Sequence, residues 1–82
     1  MDKEAIIKTI NRFLMEEFEI EEKAISPNAF LKDDLGLESL DFVDIAVIIK
    51  KEFGLDLKTK DVSSIRTLDN LYDYIYNYIQ KK

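Results

Sequence analysis

Apolar residues recur at helical spacing near both ends of the chain. The first set follows Asp2, a good helix N-cap, and comprises Ile6, Ile7, Ile10, Phe13, Leu14 and Phe18. The second set follows Thr67, another good cap, and comprises Leu68, Leu71, Tyr72, Ile75 and Ile79. These patterns predict helices ending near Phe18 and Gln80. In the last helix we expect Tyr74 to be exposed and the other three tyrosines to be partly buried.

The middle of the chain contains a second long helix and a short third element. The second helix is predicted from about Ser39 to Phe53, because Gly54 is a typical residue just after a helix C-terminus. The third element is predicted around residues 59–64. Residues 19–38 show no sustained period and predict a long loop, whose apolar anchors are Phe30, Leu31, Leu35 and Leu37. The whole chain, residues 1–82, is therefore predicted to be one all-α domain, a four-helix bundle.

The predicted second helix has apolar residues on two opposite faces. At 100° per residue, one face is a normal core stripe, which comprises Phe42, Ile45, Ala46, Ile49 and Phe53. The opposite face carries Leu40, Val43 and Val47, with Asp44 at its edge. Such a helix is either fully buried or presents its second face to a partner, and the pattern alone leaves both alternatives open. Asp41 and Asp44 count against full burial, because unpaired buried carboxylates are costly.

Composition excludes several classes of function. The chain has 12 basic and 17 acidic residues, a net charge of −5, and no Cys or His. It therefore lacks disulfides, a Cys- or His-based metal site and a Ser-His or Cys-His nucleophilic pair. Its acidity argues against nucleic-acid binding, and the longest apolar run, residues 45–49, is too short to span a membrane. The charged N-terminus has no signal-peptide core, so we expect a cytoplasmic protein.

Residues 34–41, Asp-Leu-Gly-Leu-Glu-Ser-Leu-Asp, resemble the acyl carrier protein family, whose core motif is D-L-G-x-D-S-L-D. The Glu-Phe-Gly-Leu-Asp-Leu segment at 52–57, Ile-Arg-Thr-Leu at 65–68 and Asp-Tyr-Ile at 73–75 extend the resemblance over nearly the whole chain. It implies the family's four-helix plan, with a long first loop and a short third helix. It also implies that Ser39 receives a covalent 4′-phosphopantetheine, flanked by its motif neighbours Glu38, Leu40 and Asp41.

The resemblance implies a monomeric carrier that is not an enzyme. Its partners would be a phosphopantetheinyl transferase and acyl-processing enzymes. The implied partner surface comprises Leu40, Val43, Asp44, Val47 and Lys51. The implied acyl pocket comprises Phe30, Ile45, Ile48, Ile49, Val62, Ile65 and Leu68. Most of these residues also belong to the core, and the sequence leaves open whether that core can open.

Two departures from the family pattern affect partner choice. Glu38 stands where the family usually has Asp, and Lys50 and Lys51 stand where it is commonly acidic. From Asp33 to Ile49 the chain has five acids and no base, which suits basic partners, and the lysines interrupt that acidic surface. Fatty acid synthesis is the default pathway implied, with a dedicated acyl or lipid pathway favoured by the lysines.

Other functions remain open at this point. One is an aminoacyl or polyketide carrier, and another is an unmodified helical interaction module. As a purely structural residue, Ser39 would be the N-cap of the second helix.

Overall fold

The computed structural model describes residues 2–80, apart from the side chains of Thr59 and Lys60. Within this range the chain forms four α-helices: α1 (Lys3–Phe18), α2 (Ser39–Phe53), α3 (Thr59–Val62) and α4 (Leu68–Gln80). A short 3-10 turn, Glu22–Ala24, lies in the loop between α1 and α2. The predicted all-α class is confirmed, and the third element ends slightly earlier than expected.

Capping residues fix the ends of the long helices. The Asp2 carboxylate accepts a 2.8 Å hydrogen bond from the Ala5 N–H at the start of α1. The Thr67 hydroxyl accepts a 3.2 Å bond from the Asn70 N–H at the start of α4. Gly54 ends α2 in the left-handed conformation, with φ at 70°. A side chain with a Cβ is strained there, so glycine is the favoured residue.

The core lies between α1, α2 and α4. Its buried helical residues are Ile6, Ile10, Phe13 and Leu14 of α1, Ile45 and Ile49 of α2, and Leu68, Leu71, Tyr72 and Ile75 of α4. These residues form one cluster with the buried residues outside the helices, which are Ala29, Leu31, Leu37, Leu55 and Ile65. No helix in the described part of the chain is both long and apolar enough to cross a membrane.

The loop between α1 and α2 is bonded to the beginning of α4. The Leu31 N–H donates to the Arg66 carbonyl at 2.8 Å, and the Leu68 N–H donates to the Ala29 carbonyl at 3.1 Å. Ala29 and Leu31 are buried, whereas Phe30 between them is 47% exposed. Phe30 was expected to anchor the loop, and this expectation is wrong. Side chains alternate between the two sides of the extended segment 29–31, so that the Phe30 ring points outward while its neighbours point inward.

Tyr76 and Tyr78 of α4 are partly buried as predicted, whereas Tyr72 and Tyr74 are placed differently from the prediction. Tyr74 is half-buried, and its hydroxyl donates a 2.8 Å hydrogen bond to the Asp61 carboxylate of α3. Burial raises the pKa of Tyr74, and the bond to Asp61 raises it further. Tyr72 is only 2% exposed, deeper than expected, and its hydroxyl donates to Asn11 of α1. Both tyrosines therefore join α4 to a neighbouring helix.

Candidate functional site

The start of α2 is capped by two acidic residues. Glu38 occupies the N-cap position in extended conformation, and its backbone N–H donates a 2.8 Å hydrogen bond to the Asp41 carboxylate. Ser39 is therefore the first residue inside the helix and not its cap. The alternative that made Ser39 a structural N-cap is wrong, because the Glu38–Asp41 pair supplies the capping interaction.

The Ser39 hydroxyl is consequently available for chemistry. Ser39 is exposed, and its side chain forms no hydrogen bond within residues 2–80. It lies in the first helical turn, where unpaired N–H groups and the positive end of the helix dipole favour an attached anion. Gly36, with φ at 71°, turns the chain just before the helix. A phosphodiester on Ser39 fits this environment.

An open cleft of about 1030 Å³ begins beside Ser39. Its apolar wall is formed by Phe30, Leu31, Phe42, Val43, Ala46, Val47, Leu57, Val62 and Ile65. Its polar lining is formed by Ser39, Lys32, Asp33, Lys50, Asp56, Ser63 and Arg66. The cleft thus joins the Ser39 hydroxyl to a largely apolar surface between α2, α3 and the long loop.

The structure brings only some of the predicted pocket residues to this cleft. Phe30, Val62 and Ile65 line it. Ile45, Ile49 and Leu68 are at most 1% exposed in the core, and Ile48 is half-buried away from the lining.

Sequence reasoning missed the contribution of α2 to the cleft wall. That contribution comes from Phe42, Val43, Ala46 and Val47. On a helical wheel these four residues form one continuous arc, in which Phe42 and Ala46 belong to the predicted core stripe and Val43 and Val47 to the opposite apolar face. The continuity of that arc was the signal that could have identified them.

The second apolar face of α2 is exposed to solvent. Leu40 is 78% exposed, Val43 61% and Val47 63%, and Asp44 and Lys51 on the same face are exposed as well. Full burial, one of the two alternatives for this helix, is thereby excluded. We refer to Leu40, Val43, Asp44, Val47 and Lys51 as the docking face. Three large exposed aliphatic side chains on one helix face are typical of a surface that contacts another protein.

Comparison with known proteins agrees with this geometry. Residues 8–75 match the family described as "Phosphopantetheine attachment site". The chain is 31% identical to an acyl carrier protein of Syntrophobacter fumaroxidans, over 92% of this chain and 93% of the relative. It is 29% identical to an acyl carrier protein of Coprothermobacter proteolyticus, over the full length of both. An acyl carrier protein of Cyanidioschyzon merolae is 31% identical over 95% of this chain and 86% of the relative.

The chain therefore belongs to the acyl carrier protein family of phosphopantetheine-binding proteins. Members of this family are carriers and not enzymes, and they hold 4′-phosphopantetheine covalently. Their partners in general are phosphopantetheinyl transferases and acyl-processing enzymes. The exposed serine hydroxyl beside an apolar cleft fits this prosthetic group.

Proposed function

We propose that Ser39 is the attachment site of the 4′-phosphopantetheine arm. The observation that carries the proposal is the position of its hydroxyl, exposed in the first turn of α2 while Glu38 and Asp41 perform the capping. A hydroxyl that is not needed for capping can be esterified without loss of helix stability. The first-turn N–H groups then face the added phosphate.

The cleft beside Ser39 is proposed to shelter the acyl chain. When attached, the arm supplies a terminal thiol that holds acyl groups as thioesters, which this chain, having no Cys, cannot supply itself. The cleft volume of about 1030 Å³ reaches the upper end of ordinary small-molecule pockets. Phe42, Ala46 and Val62 give it an apolar wall, which excludes water from a bound aliphatic chain.

We further propose that the protein works as a cytoplasmic monomer in fatty acid or a related lipid biosynthesis. The docking face supports this role, because it presents aliphatic side chains next to Ser39 for a transferase or synthase to contact. The apolar wall of the cleft suits aliphatic acyl groups better than polar aminoacyl groups. Size-exclusion chromatography with light scattering tests the monomeric state.

The attachment site can be tested by intact-mass measurement. The apo protein is incubated with coenzyme A and a phosphopantetheinyl transferase, and one phosphopantetheinyl addition is expected. Ser39→Ala should abolish the addition. Ser63→Ala is the matched control, because Ser63 is also exposed and lines the same cleft, and this variant should be loaded normally.

Two outcomes would contradict the proposal. An addition that persists in Ser39→Ala would place the arm on another residue. A wild-type protein that several transferases fail to load would favour the unmodified interaction module, in which the docking face binds a partner without a prosthetic group.

A further inference from the structure

The docking face carries opposite charges at its two ends. Glu38 and Asp44 are exposed near Ser39, and Asp41 in the first turn is partly exposed. The far end carries Lys51, which is exposed and lies one helical turn beyond Val47. Leu40 and Val43 lie among the acidic residues at one end, and Val47 lies between Asp44 and Lys51.

The neighbouring lysine, Lys50, forms an exposed ion pair within the protein. Lys50 Nζ lies 3.1 Å from the Asp56 carboxylate, at the side of α2 that lines the cleft. Lys51 has no ionic partner within residues 2–80. Lys51, and not Lys50, is therefore the positive charge that an approaching protein meets on the docking face.

The two charged ends are far enough apart to act separately. At 1.5 Å per residue, Lys51 lies about 10 Å along α2 from Asp44 and about 18 Å from Ser39. The screening length at physiological salt is about 8 Å. A partner therefore encounters two separate charged regions, an acidic one next to Ser39 and a basic one at Lys51.

We propose that the cognate enzyme partner of this carrier has a docking surface of mixed charge. Its surface bears basic residues close to its active-site entrance, an apolar patch next to them, and an acidic side chain about 18 Å from the point that receives Ser39. This inference rests on the proposed function, because the arm on Ser39 determines which end of α2 faces the active site. A partner that is basic along the whole contact is repelled at Lys51.

The test measures charge preference with a defined pair of probe enzymes. One is a β-ketoacyl synthase selected for a uniformly basic surface around its active-site entrance. The other is a variant of the same synthase. Cross-linking with a Lys51→Cys carrier first identifies the basic synthase residue that lies nearest to position 51, and that residue is then replaced by Glu. Both are assayed with the wild-type holo carrier, Lys51→Glu and Lys8→Glu. Lys8→Glu is the control, since Lys8 lies on α1 beside Glu4 and outside the docking face.

With the basic synthase, Lys51→Glu should raise kcat/KM about three- to ten-fold at low salt, and the gain should shrink at high salt. With the Glu-bearing synthase, the preference should reverse in favour of wild type. Lys8→Glu should match wild type in both assays.

Equal kcat/KM for wild type and Lys51→Glu with both synthases would overturn the inference. Loading of Ser39 is measured separately by intact mass, before the synthase assays. Failure of the charge inference is therefore distinguishable from failure of the proposed attachment site.

Discussion

The hydroxyl of Tyr74 in α4 donates a 2.8 Å hydrogen bond to the carboxylate of Asp61 in α3. Helix α3 has only four residues, too few to be stable without tertiary contacts. Its residue Val62 lines the cleft beside Ser39. The bond between the two side chains therefore holds one wall of the cleft in place.

Replacing Tyr74 with Phe should loosen α3 with little change to the rest of the fold. The lost hydrogen bond to a charged group should cost about 1–2 kcal/mol of unfolding free energy. Hydrogen exchange should accelerate most at the amides of residues 61–65. Tyr76→Phe is the control, since its ring is half-buried on the same helix. Equal acceleration in both variants would show that the Asp61 bond does not hold α3.

The capping arrangement at α2 predicts unequal losses of stability for substitutions at Ser39 and Asp41. Ser39→Ala should change the unfolding free energy by at most about 0.5 kcal/mol, because Ser39 lies inside the helix, where Ala is favourable. Asp41→Ala should cost about 1 kcal/mol, because the Glu38 N–H loses its acceptor. Urea denaturation of the apo proteins measures both values. A larger loss in Ser39→Ala would restore Ser39 as the structural cap.

A new glutamate should affect stability differently on the two faces of α2. Val47→Glu should stay within about 0.5 kcal/mol of wild type, since Val47 is 63% exposed. It should nevertheless weaken transferase binding, which surface plasmon resonance can measure. Ile49→Glu should unfold the domain, because Ile49 is fully buried and the new carboxylate has no partner. Comparable destabilisation by both changes would disprove the two-face description.

Narrowing the cleft should affect long acyl chains selectively. Ala46 lies half-buried on the α2 wall, so Ala46→Phe places a ring in the cleft. The octanoyl thioester of this variant should then be cleaved by hydroxylamine faster than that of wild type, because its chain is displaced into water. The acetyl thioester is the internal control and should react equally in both proteins. An unchanged rate of octanoyl thioester cleavage would show that the acyl chain binds at a different site.

Alkaline pH should destabilise the fold through Tyr72. Burial raises the pKa of Tyr72 from 10.0 to about 12, although its bond to Asn11 opposes the shift. The unfolded chain loses this proton near pH 10 while the native protein keeps it, so stability falls as pH rises from 10 to 12.

The full effect of such a shift is at most about 2–3 kcal/mol of unfolding free energy. Tyr72→Phe should flatten this slope in urea titrations made across the same pH range. An equally steep slope in Tyr72→Phe would assign the loss to other groups.

Local sequence signals predicted the helices but not every role within them. Asp2, Gly54 and Thr67 marked helix ends correctly, because capping depends on residues a few positions apart. Glu38 was missed as the N-cap, because Ser has the stronger intrinsic preference and only the structure shows Asp41 bonding back.

Contacts between distant segments account for the remaining errors. Tyr74 is held by Asp61 on another helix, which helical periodicity cannot show. The opening of the cleft at the surface was likewise not predicted, because periodicity defines the face of a helix and does not show where neighbouring helices separate. Ile45 and Ile49 lie in the core as their stripe predicts, whereas Ala46 of the same predicted stripe lines the opening.

The bonds from Leu31 to Arg66 and from Leu68 to Ala29 join positions 35 and 39 residues apart in the chain. During synthesis on the ribosome, the segment that leads to Ser39 therefore cannot take its final shape until the start of α4 has emerged from the exit tunnel. A nascent chain that ends before Arg66 lacks those acceptors and donors, and its Ser39 lies in an unanchored segment. The fold thus delays formation of the proposed Ser39 attachment site until the beginning of α4 is available to bond with the loop.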